Sequence, residues 1–318
     1  MEETKHSEER QTKKSKRGYD WKIIISTPQT FKNLLTVMSK VLVQCPFQVL
    51  KGEKFCGIRV DSMDSSMVCM IKTSYQCNVE ANIDLADESF CVMTEMFNTL
   101  LRECQPEYIL ELTRFSDSAD VLSITYYDQK DDSNRSTFTL NILEYENRAD
   151  QLRLDDITYK YMVEIDLVRL KGLCKIASEI HATYMEFKID EPIDAAVGGI
   201  CHLFFTIGAV GEIASMQKIH HSVTSSETTS SDKQIELTIR AVQVEESNVD
   251  FAALEASLNT CYNEVFSTTY LNLVLKSMER SSVNLYMSPG LPLVIRYALG
   301  NDLSNIQIVL AARVRETD

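Results

Sequence analysis

Four stretches of the chain space their apolar residues as a helix with one buried face does. In the first stretch, five apolar residues recur at intervals of three and four: Phe31, Leu34, Leu35, Met38 and Leu42. The second stretch has the stripe Val92, Met93, Met96, Phe97, Leu100 and Leu101, and similar stripes begin at Leu170 and Leu271. Because this spacing puts the apolar side chains on one side of an α-helix, we predict helices over 31–42, 92–103, 167–180 and 270–280.

Most of the other apolar residues form short runs that polar or turn residues separate, which is typical of β-strands. The predicted strands are 22–26, 56–60, 67–72, 108–114, 121–127, 138–145, 185–188, 203–207, 235–242, 283–287, 293–299 and 306–311. The first and third helices each follow a short strand and begin about 140 residues apart, which indicates an internal repeat of domain size. The predicted fold class is α+β, with two copies of one unit in tandem, each built from strands and two helices.

Polar segments suggest where these two units begin and end. Residues 1–20 alternate acids and bases and include the basic run 13–17, which fits either a solvated disordered tail or a nuclear-localisation or DNA-contacting tail. Residues 144–156 are charged, with Leu152 and Leu154 as exceptions, and lie near the midpoint. We therefore predict a tail over 1–20, an N-terminal domain over 21–145, a connector over 146–159 and a C-terminal domain over 160–318. The serine-rich segment 222–233 reads as an exposed loop.

The distribution of charge along the chain is uneven. The 318 residues include 32 Lys and Arg against 46 Asp and Glu, a net charge of −14. The four predicted helices nevertheless carry eight bases and four acids. Ordinary solvated helix surfaces would explain these bases, but basic helices on an acidic protein also concentrate a field where a polyanion binds.

Known enzyme motifs are absent from the sequence. It contains neither a phosphate-binding GxxxxGK[ST] loop nor a GxSxG nucleophile turn. His220 and His221 are adjacent, so a strand would point them to opposite faces, and Asp61 and Asp64 fit a capped turn better than a metal site. We predict no enzyme activity, no metal and no cofactor.

Cysteine use and hydropathy favour an intracellular protein over a secreted or membrane-spanning one. The nine cysteines are odd in number and none are paired as CxxC, which favours reduced, mostly buried thiols in an intracellular compartment. The N-terminus is too polar for a secretory signal. The longest apolar run, 195–210, is short for a membrane span. We predict that it forms buried strands and that the protein has no membrane partner.

Four short patches resemble proliferating cell nuclear antigen, the eukaryotic DNA sliding clamp. Residues 62–68 (SMDSSMV) resemble the family's MDSSxV signature, and Tyr270-Leu271-Asn272 followed by Lys276 is similar to a helix of its second domain. Residues 285–288 with 291–294 resemble a strand pair near the family's C-terminus, and Leu310-Ala311 resembles its closing strand. The similarity runs in the same order over roughly residues 21–314.

This resemblance implies two tandem sliding-clamp domains, each with antiparallel sheets and two helices, in a subunit of a homotrimeric ring around duplex DNA. The helices would line the hole and contact phosphates without regard to sequence. The residues that match the family's hole-facing bases, or that follow from helix phase, are Lys32, Lys40, Arg102, Arg169, Lys171, Lys175, Lys276 and Arg280. The expected function is a processivity factor that tethers DNA polymerase and other replication proteins.

The resemblance also implies protein partners. A DNA polymerase and other proteins would insert a short motif with aromatic anchors into an apolar pocket below the connector, and a clamp loader would open the ring. The implied pocket residues are Met63, Val68, Met70, Leu152, Leu154, Tyr159, Pro292, Val309, Ala311 and Ala312. The implied subunit interface uses strands 138–145 and 211–219, with Phe138, Leu140, Ile142, Ile213 and Met216.

The chain departs from the family pattern at several places. Asp155 and Ala312 stand where the family has prolines, and the tail, the serine-rich loop and an acidic insert around 244–260 exceed a compact clamp. This divergence indicates a distant, possibly viral, version that acts in the nucleus or at a cytoplasmic replication site. The alternatives are a checkpoint-type clamp in a hetero-ring, a clamp-derived viral transcription accessory factor and, more remotely, a nucleic-acid enzyme.

Overall fold

The computed structural model describes most of both predicted halves of the chain. The described residues are 18–86, 88–131, 134–145, 157–192, 200–225, 235–240, 242–243, 258–279, 281–300 and 303–313. The predicted tail, most of the connector with Leu152, Leu154 and Asp155, and most of the serine-rich loop and acidic insert lie outside these residues. Arg280 also lies outside them.

The described part of the chain contains four helices, and all four predicted helices are confirmed. They are α1 (Pro28–Val41), α2 (Thr94–Leu100), α3 (Leu167–Glu179) and α4 (Thr268–Lys276). The prediction for α2 was too long, because Val92 and Met93 belong to the preceding strand. Helices α1 and α3 begin at residues 28 and 167, which agrees with the predicted repeat distance.

Nineteen strands accompany the helices in the described residues. The first half contains β1 (Tyr19–Ile25), β2 (Gln44–Lys51), β3 (Cys56–Met63), β4 (Cys69–Gln76), β5 (Asn78–Ala81), β6 (Ser89–Met93), β7 (Tyr108–Phe115), β8 (Ser118–Asp128) and β9 (Arg135–Asn141). The second half contains β10 (Tyr159–Asp166), β11 (Tyr184–Pro192), β12 (Ile200–Val210), β13 (Ser215–Ser225), β14 (Ile235–Arg240), β15 (Val242–Gln243), β16 (Leu258–Ser267), β17 (Ser282–Met287), β18 (Leu293–Ala298) and β19 (Asn305–Leu310).

Every predicted strand overlaps an observed one, and the family resemblance also implied a strand over 211–219, which overlaps β13. Five observed strands were not predicted as strands: β2, β5, β6, β10 and β16. The sequence carried a signal for two of them. In β2, Cys45, Phe47 and Val49 are buried and alternate with more exposed residues. In β10, alternate residues from Tyr159 onward are likewise buried. Strand β10 begins at residue 159, the last residue of the predicted connector.

The strands form three sheets, and one of them joins the two halves. The orders are β5-β1-β7-β8-β9, β15-β13-β12-β11-β16 and β14-β10-β17-β18-β19-β4-β3-β2-β6. In the nine-stranded sheet, β19 of the second half pairs antiparallel with β4 of the first half, from Asn305 opposite Ser74 to Leu310 opposite Cys69. Pairing is antiparallel throughout except between β10 and β14. The fold is therefore α+β with mostly antiparallel sheets.

The topology repeats within the chain. In the first half, β1, α1, the strands β2 to β6, α2 and β7 to β9 follow one another; in the second half, β10, α3, the strands β11 to β16, α4 and β17 to β19 do so. The sheet order β5-β1-β7-β8-β9 matches β14-β10-β17-β18-β19, and β6-β2-β3-β4 matches β16-β11-β12-β13. Except for the two-residue strand β15, each described element of one half therefore has an equivalent in the order of the other, although β14 pairs parallel with β10 and β5 pairs antiparallel with β1.

Each pair of helices packs against the sheets of its own half. Helix α1 lies against β4 and β7, while α3 lies against β10, β11, β12 and β17. Phe31, Leu34 and Leu35 of α1 are buried, as are Leu170 and Cys174 of α3. The apolar stripe predicted for α2 is wrong at Met93 and Met96, which are 39% and 52% exposed.

A hydrogen-bonded turn reinforces the junction between the halves. The Asp64 carboxylate, which is 7% exposed, accepts hydrogen bonds from the backbone N–H groups of Val68 and Cys69, each at 2.8 Å. It also accepts hydrogen bonds from the hydroxyls of Ser66, in the same turn, and Tyr270, in α4. Asp64 thus caps a turn, as predicted. Its carboxylate is also buried, and it ties the first half to a helix of the second.

These hydrogen bonds decide the ionisation of Asp64. Burial by itself raises the pKa of this carboxyl, but the hydrogen bonds from Ser66, Tyr270 and the backbone N–H groups of Cys69 and Val68 outweigh it, so the pKa lies below its ordinary value of 3.8. A carboxyl with a lowered pKa in the folded state stabilises the fold fully above its unfolded pKa. That contribution is lost as the pH falls through the lower, folded pKa.

We predict that Asp64→Asn destabilises the protein by about 2–4 kcal/mol at neutral pH, because it removes a charge that satisfies several buried donors. Urea unfolding at pH 7 and at stepwise lower pH measures this. The difference between the wild type and Asp64→Asn should shrink below pH 4. The exposed turn carboxylate Asp84, which accepts one hydrogen bond from Ala86 N–H, is the matched control, and Asp84→Asn should cost less than about 1 kcal/mol. Equal effects of the two substitutions would contradict the assigned role of Asp64.

Candidate functional site

The four helices form one row across both halves of the molecule. Helix α2 packs against α1, α1 packs against α4, and α4 packs against α3. The α1–α4 contact crosses between the halves, and there Asn33 Nδ2 donates a hydrogen bond of 2.6 Å to Glu279 Oε2. The row therefore presents the polar faces of all four helices as one surface.

This surface is positively charged in an acidic protein. Within the observed helix bounds there are six bases and two acids, a net charge of +4. The bases are Lys32, Lys40, Arg169, Lys171, Lys175 and Lys276, and the acids are Glu95 and Glu179. Because the whole chain has a net charge of −14, the helix row differs in sign from the rest of the protein.

Two of the lysines predicted to contact DNA make hydrogen bonds inside the protein. Lys32 of α1 donates from Nζ to the carbonyl oxygens of Arg102 and Cys104, at 3.0 and 2.8 Å. These carbonyls follow the C-terminus of α2, where backbone acceptors lack intrahelical partners and the helix dipole is negative. The ammonium group therefore caps α2.

The second half repeats this cap at the equivalent position. Lys171 of α3 donates from Nζ to the carbonyl oxygens of Lys276 and Met278, at 3.4 and 2.6 Å. Lys32 and Lys171 are each the fifth residue of their helix, and the carbonyls they reach occupy the same positions relative to α2 and α4. The two lysines thus stabilise the helix row from within, and the sequence alone gave no sign of it.

The other predicted bases differ in exposure. Lys40, Arg102 and Lys276 are exposed. Lys175 is exposed too, and its Nζ lies 3.7 Å from Oε1 of Glu179, one helical turn away. Arg169 is half-buried. The bases that extend furthest into solvent are therefore Lys40, Arg102, Lys175 and Lys276.

An apolar cavity lies on the nine-stranded sheet beside the junction of the halves. Its volume is about 360 Å³, and its lining comes from both halves: Met63, Met67, Val68, Cys69, Met70, Glu264, Gly290, Leu291, Pro292, Val309, Ala311, Ala312 and Arg313. Seven of the ten predicted pocket residues are in this lining: Met63, Val68, Met70, Pro292, Val309, Ala311 and Ala312. The strand pairing between β4 and β19 is what brings them together, because it places Val309 opposite Met70.

The eighth predicted pocket residue, Tyr159, lies in the packing behind the cavity. It is 5% exposed and belongs to an apolar cluster with Met70, Tyr286, Val294 and Val309. Its ring meets the Tyr286 ring edge-on at a centroid distance of 5.9 Å. Burial raises the pKa of the Tyr159 hydroxyl to about 12, so this residue supports the cavity as a neutral side chain.

The cavity also contains residues that the sequence analysis did not assign to it. Met67, which is 69% exposed, and Leu291 lie within the sequence patches that resemble the family. Their place in these patches could have been used to predict that they line the cavity. Glu264 lies on β16, a strand that was not predicted. Its Oε1 accepts a hydrogen bond of 3.3 Å from Gly290 N–H. Arg313 stacks on the Tyr184 ring, with its guanidinium carbon 4.3 Å from the ring centroid.

The residues predicted for a subunit interface lie at sheet edges. Strand β9 is the last strand of its sheet. Its Leu140 is 8% exposed, while Phe138 and, just past the strand, Ile142 are half-buried. Strand β13 pairs with β12 along its whole length, and β15 covers its other edge only at residues 220 and 221. Ile213, in the turn before β13, is 71% exposed, and Met216 packs partly against the core.

Neither a metal site nor a membrane span is found in the described part of the chain. No group of three or more His, Cys, Asp or Glu residues there could hold a metal ion. No helix among the same residues is long and apolar enough to cross a membrane. Of the nine cysteines, the eight whose side chains the structure describes are free, and five of these are buried.

Comparison with models of known protein families and with curated proteins finds no match to this chain.

We predict that Lys32→Met and Lys171→Met each lower the free energy of unfolding by about 1 kcal/mol, because each leaves the C-terminal carbonyls of a helix without their cationic donor. Methionine keeps the aliphatic stem, so the loss reports the ammonium group. Lys175→Met is the control, since Lys175 makes an exposed ion pair only, and it should change stability by less than about 0.5 kcal/mol. Urea denaturation measures all three, and equal effects would show that the two caps do not contribute.

Proposed function

We propose that this chain is a DNA sliding clamp of the proliferating cell nuclear antigen type, which encircles duplex DNA and tethers DNA polymerase to it. The observation that carries the proposal is the single row of four helices with a net charge of +4 on a chain whose net charge is −14. The four family-like patches in the sequence agree with it. Two of them meet in the structure, where Tyr270 of the second patch donates to Asp64 of the first.

The helix row suits binding to phosphates better than reading of bases. Lys40, Arg102, Lys175 and Lys276 are exposed side chains that lie on or beside all four helices of the row, rather than on one recognition helix of the kind that enters the major groove. Lysine and arginine contacts of this kind are electrostatic, independent of sequence and weakened by salt. Such contacts let a protein move along DNA, while the acidic remainder disfavours DNA binding elsewhere.

The internal repeat suggests how subunits join. Inside the chain, the halves are joined by pairing between β19 and β4. The equivalent of β19 is β9, and the equivalent of β4 is β13. Each of these two strands has an edge that the other described strands leave open. In β9 the whole outer edge is open, and in β13 the edge is open at residues 215–219. Pairing of β9 with β13 of the next copy would repeat the internal junction between chains.

Such head-to-tail pairing closes into a ring when the rotation per subunit allows it, and closure also removes exposed strand edges. Three subunits would place six repeats around the hole, with the helix rows inside. Phe138, Leu140, Ile142, Ile213 and Met216 would lie at the subunit junctions. A closed ring needs to be opened for DNA entry, which is the task of a clamp loader. The site of action would be the nucleus, or a cytoplasmic replication site if the source is viral.

The apolar cavity is the proposed docking site for the polymerase. Its volume of about 360 Å³ and its lining of Met, Val, Leu, Pro and Ala side chains suit one or two large apolar anchors of a short peptide motif. A polymerase held in this way on a ring around DNA gains a high effective concentration at the primer end without any chemistry by the clamp. The absence of a recognised catalytic motif agrees with a tethering role.

We predict that replacing Lys40, Arg102, Lys175 and Lys276 together by Ala weakens retention on DNA and lowers stimulation of processive synthesis by about tenfold or more, because each lost phosphate contact weakens binding. Primer extension on a long template, with the cognate polymerase and with salt varied, measures this. The assembly state and the urea midpoint should stay unchanged, since these side chains extend into solvent. Matched removal of four exposed bases elsewhere, Lys51, Lys54, Arg59 and Lys160, should leave stimulation unchanged.

The same assay separates the docking site from the DNA surface. Ala311→Glu puts a charge at the mouth of the cavity, where the Ala311 side chain is exposed. It should abolish stimulation while binding to DNA stays unchanged. If the helix-row variant stimulates synthesis as the wild type does, the DNA surface is wrongly assigned. If Ala311→Glu does so, the docking site is wrongly assigned.

A further inference from the structure

Two exposed apolar patches lie in different halves of the chain, one in the first half and one in the second. Ten large apolar side chains are exposed in the described residues, and five of them belong to these patches. We call Val43, Met93 and Met96, which are 67%, 39% and 52% exposed, the helix patch. We call Val210 and Ile213, which are 79% and 71% exposed, the hairpin patch. Apolar side chains grouped in this way on a surface mark a site of interaction.

The helix patch is held together by backbone contacts. The N–H of Thr94, the first residue of α2, donates a 3.0 Å hydrogen bond to the carbonyl of Val43. Met93 lies directly before Thr94 and faces Gln44 in the pairing of β2 with β6. Met96 is in the first turn of α2. The three side chains therefore form one surface where α1 ends and α2 begins.

The hairpin patch is equally fixed. The β12–β13 turn is closed by a 2.9 Å hydrogen bond from Gly211 N–H to Ala214 carbonyl. A Cβ at Gly211 would lie 1.8 Å from the carbonyl oxygen of Ile180, so only glycine allows the turn to approach the end of α3 this closely. The turn is thus seated on α3, with Val210 and Ile213 extended into solvent beside it.

The internal junction shows what the equivalents of these patches do. Thr268 begins α4 as Thr94 begins α2, and its N–H is bonded to the Thr183 carbonyl as that of Thr94 is to the Val43 carbonyl. The third residue of α2, Met96, therefore corresponds to the third residue of α4, Tyr270. Inside the chain, the Tyr270 hydroxyl contacts Asp64 and lies 2.7 Å from Ser66 Oγ, in the β3–β4 turn. The equivalent of that turn is the β12–β13 turn, which carries the hairpin patch.

We propose that the helix patch of one copy of this chain binds the hairpin patch of the next copy, with Met96 against Ile213. This contact rests on the ring proposed above. It specifies which surfaces of neighbouring subunits in that ring bind each other. The same geometry that brings Tyr270 to the β3–β4 turn within the chain brings Met96 to the β12–β13 turn between chains. The other side chains of the two patches, Val43, Met93 and Val210, surround this central pair.

The contact within the chain is polar, whereas the proposed contact between copies is apolar. The halves of one chain are covalently linked, and at the turn contact between them the hydrogen bond from Tyr270 to Asp64 fixes their geometry. Separate subunits gain no such tether, and burial of apolar surface supplies the association free energy that they need. The two patches also differ from each other, which gives the interface a direction. Each copy then has one end of each kind, as a head-to-tail ring requires.

Native mass spectrometry of the full-length chain at low micromolar concentration tests this contact. Met96→Lys alone and Ile213→Glu alone should each weaken association by about tenfold or more, because each buries a charge against an apolar partner. The double variant should recover most of the assembly, because every junction then pairs a lysine with a glutamate. Val168→Lys and Leu303→Glu are the controls. They change apolar residues, 73% and 46% exposed, that lie outside both patches, and they should assemble as the wild type does.

The outcomes separate this contact from the ring itself. Wild-type chains that remain monomeric would overturn both. A wild-type ring that both single variants preserve would overturn the contact and leave the ring standing, as would a double variant no better than the single ones. Far-ultraviolet circular dichroism on each variant shows that a loss of assembly is not a loss of folding.

Discussion

The pairing of β19 with β4 is the interaction on which the rest of the structure depends. It joins the two halves through the middle of a nine-stranded sheet and brings Val309 opposite Met70. Because of this pairing, the cavity has walls from both halves, and α1 packs against α4 to continue the helix row. The Asp64 turn fixes the same junction from the side of the helices, since its carboxylate accepts a hydrogen bond from the Tyr270 hydroxyl. A change in this junction would therefore disturb the cavity and the basic surface together.

The net charge of the chain conceals the feature that carries the proposed function. Helices that are amphipathic bury one face against the sheets, so the charges that remain on their outer faces determine the field of the helix row. Two lysines of that row are used internally, because Lys32 and Lys171 satisfy the carbonyls at the ends of α2 and α4. The proposed DNA contacts rest on Lys40, Arg102, Lys175 and Lys276, which are exposed. Structure thus divides one set of basic residues into those that build the surface and those that present charge on it.

Much of the fold could be predicted from the sequence, and the reasons for the failures are physical. Helices α1 and α3 were found within three residues because their apolar stripes are buried. Met93 and Met96 fit a stripe equally well by spacing, yet they are exposed, and periodicity cannot say which apolar face has a partner in the same chain. Strand β10 was missed because it follows a charged segment, although its alternation was present. The family resemblance implied seven of the thirteen lining residues of the cavity. It did not imply Glu264, which comes from a strand whose pairing the sequence did not indicate.

In the proposed function, the protein is linked to DNA topologically, as a closed ring. A duplex anchored at one end to a bead, and loaded with the chain through its free end, tests this when the free end is then blocked by a bulky ligand. After a wash at high salt, which removes purely electrostatic binding, the account predicts that the chain stays on blocked DNA and is released when a restriction enzyme cuts the duplex. Loss of the chain in the salt wash, equally from blocked and unblocked DNA, would contradict it.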